Sequence, residues 1–129
     1  MQIKNEFPPN IEKIREHFNI PKNAVFTHGD TIYVPSGKSM DEPLKAHEAV
    51  HSQQQGDNPD GWWDRYFSDK SFRLEQELKA YQAQYIASKR ILKDRERLHR
   101  FLHNIAVDLS SEMYGNIISY AEAMKKIKS

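Results

Sequence analysis

One short segment of this chain reads as β-structure, and nearly everything after it reads as helix. Ala24-Val25-Phe26-Thr27 and Thr31-Ile32-Tyr33-Val34 are β-branched and aromatic runs on either side of His28-Gly29-Asp30, the pattern of a hairpin. Pro35 and Gly37 close it, and no other segment reads as strand. From Ser39 onward apolar residues recur at helical spacing. The expected architecture is α+β, a small sheet packed on one helix and followed by several more. With 129 residues, one domain spanning 1–129 is expected.

The element boundaries follow from punctuation. Phe7-Pro8-Pro9-Asn10 stops any earlier structure, and Asn10 is placed to cap a short amphipathic helix through Ile11, Ile14, Arg15 and Phe18 that Pro21 ends. The hairpin covers about 24–34. Asp41-Glu42-Pro43 opens a helix over about 41–55, and Gly56 stops it. Trp62, Trp63, Tyr66 and Phe67 suggest a short aromatic helix. A long helix over about 71–89 carries the stripe Leu74, Leu78, Tyr81 and Tyr85 on one face. C-terminal helices fill about 91–127, one over about 91–107 and the last over about 116–126, after Gly115.

Composition limits the chemistry. There is no cysteine, which excludes disulfides, thiol catalysis, cysteine-bound zinc and iron–sulfur clusters. Any metal must be held by His, Asp or Glu. The net charge of +1 gives no global attraction to nucleic acid or membrane. No apolar run approaches the ~18 residues of a membrane span. The first six residues lack the apolar core of a signal peptide, so a cytoplasmic protein is expected.

The chemistry concentrates in His47-Glu48-Ala49-Val50-His51. Imidazoles four residues apart on a helix lie one turn apart on one face and can ligate a single Zn2+, with the intervening Glu48 as general base. At about 100° per residue, His47, His51, Leu44 and Glu48 share one arc, and Ala46, Ala49 and Val50 share the other. The small apolar arc is expected to pack inward while the His/Glu arc faces a cleft.

A catalytic zinc needs a third protein ligand and an open position. The nearest dense group of candidates is Phe72-Arg73-Leu74-Glu75-Gln76-Glu77-Leu78-Lys79-Ala80-Tyr81. Glu75 and Glu77 flank the apolar stripe from opposite sides. Ala80, one turn beyond Glu77, permits close helix approach and tilts the choice to Glu77.

The combination of His47-Glu48-x-x-His51 with a later helix bearing Glu77-Leu78-Lys79-Ala80 resembles the gluzincin class of zinc metallopeptidases. Over roughly residues 20–90 the string is similar to small stand-alone metallopeptidase-like proteins of phage and bacterial genomes. That resemblance rests also on Gly29-Asp30-Thr31-Ile32-Tyr33-Val34-Pro35, the Gln53-Gln54-Gln55 run and Trp62-Trp63-x-x-Tyr66. It implies a minimal zincin-like domain hydrolysing peptide bonds, with His47, His51 and Glu77 as zinc ligands and a peptide or protein as substrate. It also implies that the sheet's edge strand binds extended peptide, along a shallow cleft at the hairpin edge. Tyr81 stands where the Glu-x-x-x-Asp form of the pattern has Asp, so a partner of the ligands differs here.

Other features have plainer readings. Tyr33, Tyr81, Tyr114, His99 and His103 are candidates for an oxyanion donor or a residue supporting the ligands, though packing or surface roles suit each of them. His99 and His103 form a second pair at four-residue spacing, with nothing acidic between them. His28 reads as a turn residue and His17 as exposed. The 89–100 stretch has six basic residues against Asp94 and Glu96; a solvated, ion-paired face explains it better than phosphate binding. The Trp62-Trp63-Tyr66-Phe67 cluster fits a substrate pocket and a core cap equally well. The competing functions are a catalytically silent zinc-binding or interaction protein and a nucleic-acid-associated protein.

Overall fold

The hairpin forms where the two strand-like runs meet a two-residue loop. In the computed structural model, which describes residues 1–129, β2 (Phe26–His28) pairs antiparallel with β3 (Thr31–Tyr33). Gly29 takes φ +65° at the first loop position, where a type II′ turn needs a residue free of a Cβ. A third strand, β1 (Gln2–Lys4), pairs in parallel with β3, giving the order β1-β3-β2. This strand was not expected. Its three residues are all exposed and carry no alternating pattern; only the vacant side of β3 makes it a strand, through bonds such as Val34 N–H to the Lys4 carbonyl (2.8 Å).

Between β1 and β2 lies α1 (Ile11–His17). It ends at Phe18, whose backbone turns extended three residues before Pro21. Asn10 sits at its N-terminus but its side chain makes no capping bond, contrary to expectation. The main helices follow as α2 (Glu42–Gln55), α3 (Pro59–Ser68), α4 (Lys70–Ile91), α5 (Arg95–Leu109) and α6 (Tyr120–Lys128), with a 3-10 turn at Glu112–Tyr114. Caps set their starts. Asp41 accepts from Leu44 N–H, Asn58 from Gly61 N–H and Asp69 from Phe72 N–H. Helix α5 begins later than expected because α4 runs on to Ile91 and Asp94 caps the next start. Helix α6 begins at Tyr120 because Ser119 and Glu122 form a capping box.

Two cores result. An apolar one joins α4, α5 and α6 through Leu74, Tyr85, Leu102, Ile105, Leu109 and Ile127. An aromatic one joins α1, β2, β3 and α3 through Ile14, Phe26, Tyr33, Trp62, Trp63 and Tyr66. Arg73 ties α3 to α4. Its guanidinium is buried and donates to the carbonyls of Tyr66 (2.8 Å), Phe67 (2.9 Å) and Met113 (2.6 Å). A buried charge with three such acceptors is held by hydrogen bonds rather than by a counter-ion. No helix is long and apolar enough to cross a membrane.

Helix α2 departs from the expected orientation. Its buried residues are His47, Glu48, His51 and Gln55, while Ala46, Ala49 and Val50 are only half-buried. The polar arc faces inward because α4, α3 and β2 all pack on it and supply its hydrogen-bond partners.

Candidate metal centre

Helix spacing places His47 and His51 one turn apart, and α4 crosses α2 so that Glu77 reaches both. The Nε2 atoms of His47 and His51 are 3.2 Å apart. Glu77 Oε1 lies 3.1 Å from the first and 2.9 Å from the second. These three atoms form a nearly equilateral triangle. A tetrahedral zinc with bonds of about 2.0–2.1 Å holds its ligand atoms roughly 3.3 Å apart. The donor set of two imidazoles and one carboxylate therefore fits such an ion in chemistry and in spacing, and these three residues form the chain's potential metal-binding cluster. Glu75 is on the exposed side of α4, paired with Lys79 at 3.9 Å, and has no part in it.

Each of these three side chains is held differently. Gln54 Oε1 accepts from His51 Nδ1 at 2.8 Å, while the Gln54 amide donates to the Gln76 carbonyl on α4 (3.1 Å). That bond fixes the His51 ring and turns its Nε2 toward the cluster. Tyr66 on α3 donates its hydroxyl to Glu77 Oε2 at 2.5 Å, which leaves Oε1 to face the imidazoles. Trp62 packs against His51 with ring centroids 5.2 Å apart and anchors its own indole N–H on Gln76 Oε1 at 2.8 Å. His47 has no such support: its Nδ1 is buried without a hydrogen-bond partner. Tyr81 stands beside it edge-on, centroids 4.5 Å apart, and supplies packing rather than a carboxylate.

Glu48 lies next to the triangle but outside it. Its Oε2 is 3.7 Å from His47 Nε2. Its Oε1 accepts from the Thr27 hydroxyl on β2 at 2.8 Å. The hairpin thus aims the carboxylate of the helix. Both residues are buried, Glu48 with 6% of its surface exposed and Thr27 with 2%.

The electrostatics of the centre are those of charges confined at short range. Burial disfavours the charged form of His51, but the adjacent Glu77 carboxylate outweighs it and raises the imidazole pKa to about 9. Burial would raise Glu77, yet His51 and His47 hold it well below the usual carboxylate range. Burial, reinforced by the charge of Glu77, pushes Tyr66, Tyr81 and Tyr114 upward. All three phenols therefore stay protonated, and Tyr66 donates to Glu77.

Of the other candidates, Tyr114 is buried in the apolar core behind Tyr66. His103 is exposed on α5 and meets the Tyr120 hydroxyl at 2.7 Å, outside the cluster. His99 is also exposed on α5, and Tyr33 belongs to the aromatic core. His28 pairs with Asp60 at 2.9 Å, and His17 stacks on Phe67. The aromatic cluster serves both of its readings, since Trp62, Trp63 and Tyr66 are core residues that also line the cleft beside the ligands.

The outer edge of the hairpin is partly engaged by side chains of the same chain. Gln55 donates to the Thr27 carbonyl (2.8 Å) and accepts from Gly29 N–H (2.7 Å). Trp63 also donates to the Thr27 carbonyl (3.0 Å), and Ser52 donates to the Gly29 carbonyl (2.7 Å). Side chains of α2 and α3 thus take the Thr27 carbonyl and both backbone groups of Gly29. The Gln run was expected only to end a helix; it also docks the hairpin and holds a ligand. Thr27, Gln54 and Tyr66 acquire their roles only from a neighbouring element. The one trace of them in sequence is that Tyr66 falls between the two ligand-bearing helices.

In comparisons with known proteins, no family model, no curated protein and no solved structure matches the chain.

Proposed function

We propose that this protein is a zinc-dependent peptidase, with His47, His51 and Glu77 as ligands and Glu48 as general base. The observation that carries this reading is the placement of Glu48. Its carboxylate is buried beside the three-ligand triangle, belongs to no ion pair that would neutralise it apart from His47 at 3.7 Å, and is oriented by Thr27. A site built only to hold an ion has no use for an adjacent, aimed carboxylate.

Bound zinc would supply Lewis acidity for a carbonyl oxygen and lower the pKa of a water. Glu48 accepts a proton as water oxygen bonds to the scissile carbonyl carbon. It returns that proton to the amine as the C–N bond breaks, so one water is consumed and one acid and one amine are formed. The protonated Tyr81, packed beside His47 and with its hydroxyl not tied to Glu77, is the phenol suited to support charge on the carbonyl oxygen. The cleft is about 360 Å³, and its lining includes Phe18, Ile20, Ala24, Val25 and Thr27.

Zinc-loaded protein should hydrolyse members of a peptide library. Glu48→Gln should bind zinc as wild type does and lose roughly 10²–10⁴-fold in rate. Equal rates for both proteins would overturn the mechanism. Stoichiometric zinc without hydrolysis by either would instead assign a zinc-binding role without catalysis.

A further inference from the structure

We propose that the cleft takes the free carboxyl end of a peptide chain, with its terminal carboxylate paired to Lys38. This rests on the peptidase reading above and names the substrate for the same site. Three observations lead to it.

The first is the closure of the β2 edge. In an antiparallel pair alternate residues face outward, here Val25, Thr27 and Gly29. The Thr27 carbonyl and both backbone groups of Gly29 are taken by Gln55, Trp63 and Ser52. Val25 keeps its N–H and carbonyl and Thr27 keeps its N–H without a protein partner, and both residues line the cleft. The edge can therefore pair a short piece of main chain at Val25 and the Thr27 N–H, and it is closed from the Thr27 carbonyl through Gly29.

The second is the wall on the His51 side. Trp62, Trp63 and Tyr66 are all buried there, each tied by a hydrogen bond to Gln76, Thr27 or Glu77. A cleft of about 360 Å³ sits at the low end of the ~300–1,000 Å³ typical of small-molecule sites. It suits a chain end better than a chain passing through.

The third is charge. Lys38 is the only lysine or arginine among the residues lining the cleft. Lysine ion pairs within the chain engage Lys13, Lys45, Lys70 and Lys79, and Lys38 is in none of them. The carboxylates in the same cleft, Glu48 and Glu77, are occupied by Thr27, by Tyr66 and by the imidazoles. Lys38 would pair a terminal carboxylate and repel a terminal ammonium, which selects the carboxyl terminus over the amino terminus.

The test uses zinc-loaded Glu48→Gln protein, which would bind without turnover. It is titrated by calorimetry with an N-acetylated apolar tetrapeptide, once as the free acid and once as the carboxamide. The free acid should bind about tenfold more tightly. Lys38→Ala should erase that difference and Lys38→Arg should keep it. Equal affinity for the two peptides, no binding of either, or discrimination surviving in Lys38→Ala would overturn the proposal. In parallel, wild-type protein is given a longer peptide blocked at both ends and its free-acid counterpart. Cleavage confined to the free acid, near its carboxyl end, supports the proposal, and equal internal cleavage of the blocked peptide overturns it. Free-acid preference in binding with no zinc-dependent cleavage of any peptide would refute the peptidase reading while leaving the carboxylate site in place.

Discussion

Around α5 and α6 the residues turned inward are apolar: Leu102, Ile105, Ala106, Leu109, Ala123 and Ile127. Around α2 the residues turned inward are His47, Glu48, His51 and Gln55, and α4 adds Arg73 and Gln76. Apolar packing needs only volume and shape, and neighbouring substitutions are absorbed in part. A buried polar group needs a specific partner, and losing one leaves the other desolvated at a cost of about 1–3 kcal/mol. The C-terminal half thus has the character of a support. The half around α2 is a network in which hairpin, α3 and α4 each hold one part of the centre.

The largest effect separating the two halves should come from Leu109→Ala. Leu109 is fully buried in the apolar core. Its truncation should destabilise the fold by about 2–5 kcal/mol in denaturant titrations. The folded fraction should bind zinc as wild type does, because Gln54, Tyr66, Trp62 and Tyr81, not Leu109, make the contacts to His47, His51 and Glu77. A large fall in zinc affinity would break the distinction.

The opposite pattern is expected for Gln54→Ala. Gln54 is exposed to solvent in part and contributes little packing, but it fixes the His51 ring. Zinc affinity should fall about 10–100-fold with little change in the denaturant midpoint of the metal-free protein. The same loss from Gln53→Ala, whose side chain is exposed and makes no such bond, would show that the effect is not one of ring orientation.

A further effect, common to both halves, is in pH. In the metal-free protein the His51 pKa lies at about 9, above its ordinary value of 6.5, so zinc must displace a proton from His51 below pH 9. Apparent zinc affinity should rise by up to about tenfold per pH unit between pH 7 and 9 and then level, with proton release seen in calorimetry across buffers. The raised folded-state pKa also means that this group stabilises the metal-free fold fully below pH 6.5. That contribution is lost as pH rises through 9, so the metal-free melting temperature should fall over this window. Leu109→Ala should shift the whole curve without changing its slope.

The same contrast explains what was legible in the sequence. The α5 and α6 stripes are readable because apolar burial leaves a 3.6-residue period, although their starts moved to the caps at Asp94 and Ser119. The α2 orientation was not readable that way. Apolar periodicity turned Ala46, Ala49 and Val50 inward, whereas partners on three other elements buried the His/Glu face. The ligand trio was legible through spacing and residue type, which is what metal chemistry constrains. The roles of Thr27, Gln54 and Tyr66 were not, because a hydrogen bond across elements leaves no period behind. Strand β1 is the same case for the backbone: its partner is β3, and its own residues carry no sign of it.

The central claim is that His47, His51 and Glu77 together hold one zinc ion, and zinc affinity measured side by side for wild type, Glu77→Ala and Glu75→Ala tests it directly. The account predicts one zinc per chain in wild type, unchanged in Glu75→Ala, with affinity reduced at least tenfold in Glu77→Ala. Wild-type protein that takes up no zinc, or a Glu77→Ala protein that binds it as tightly as wild type, would contradict it.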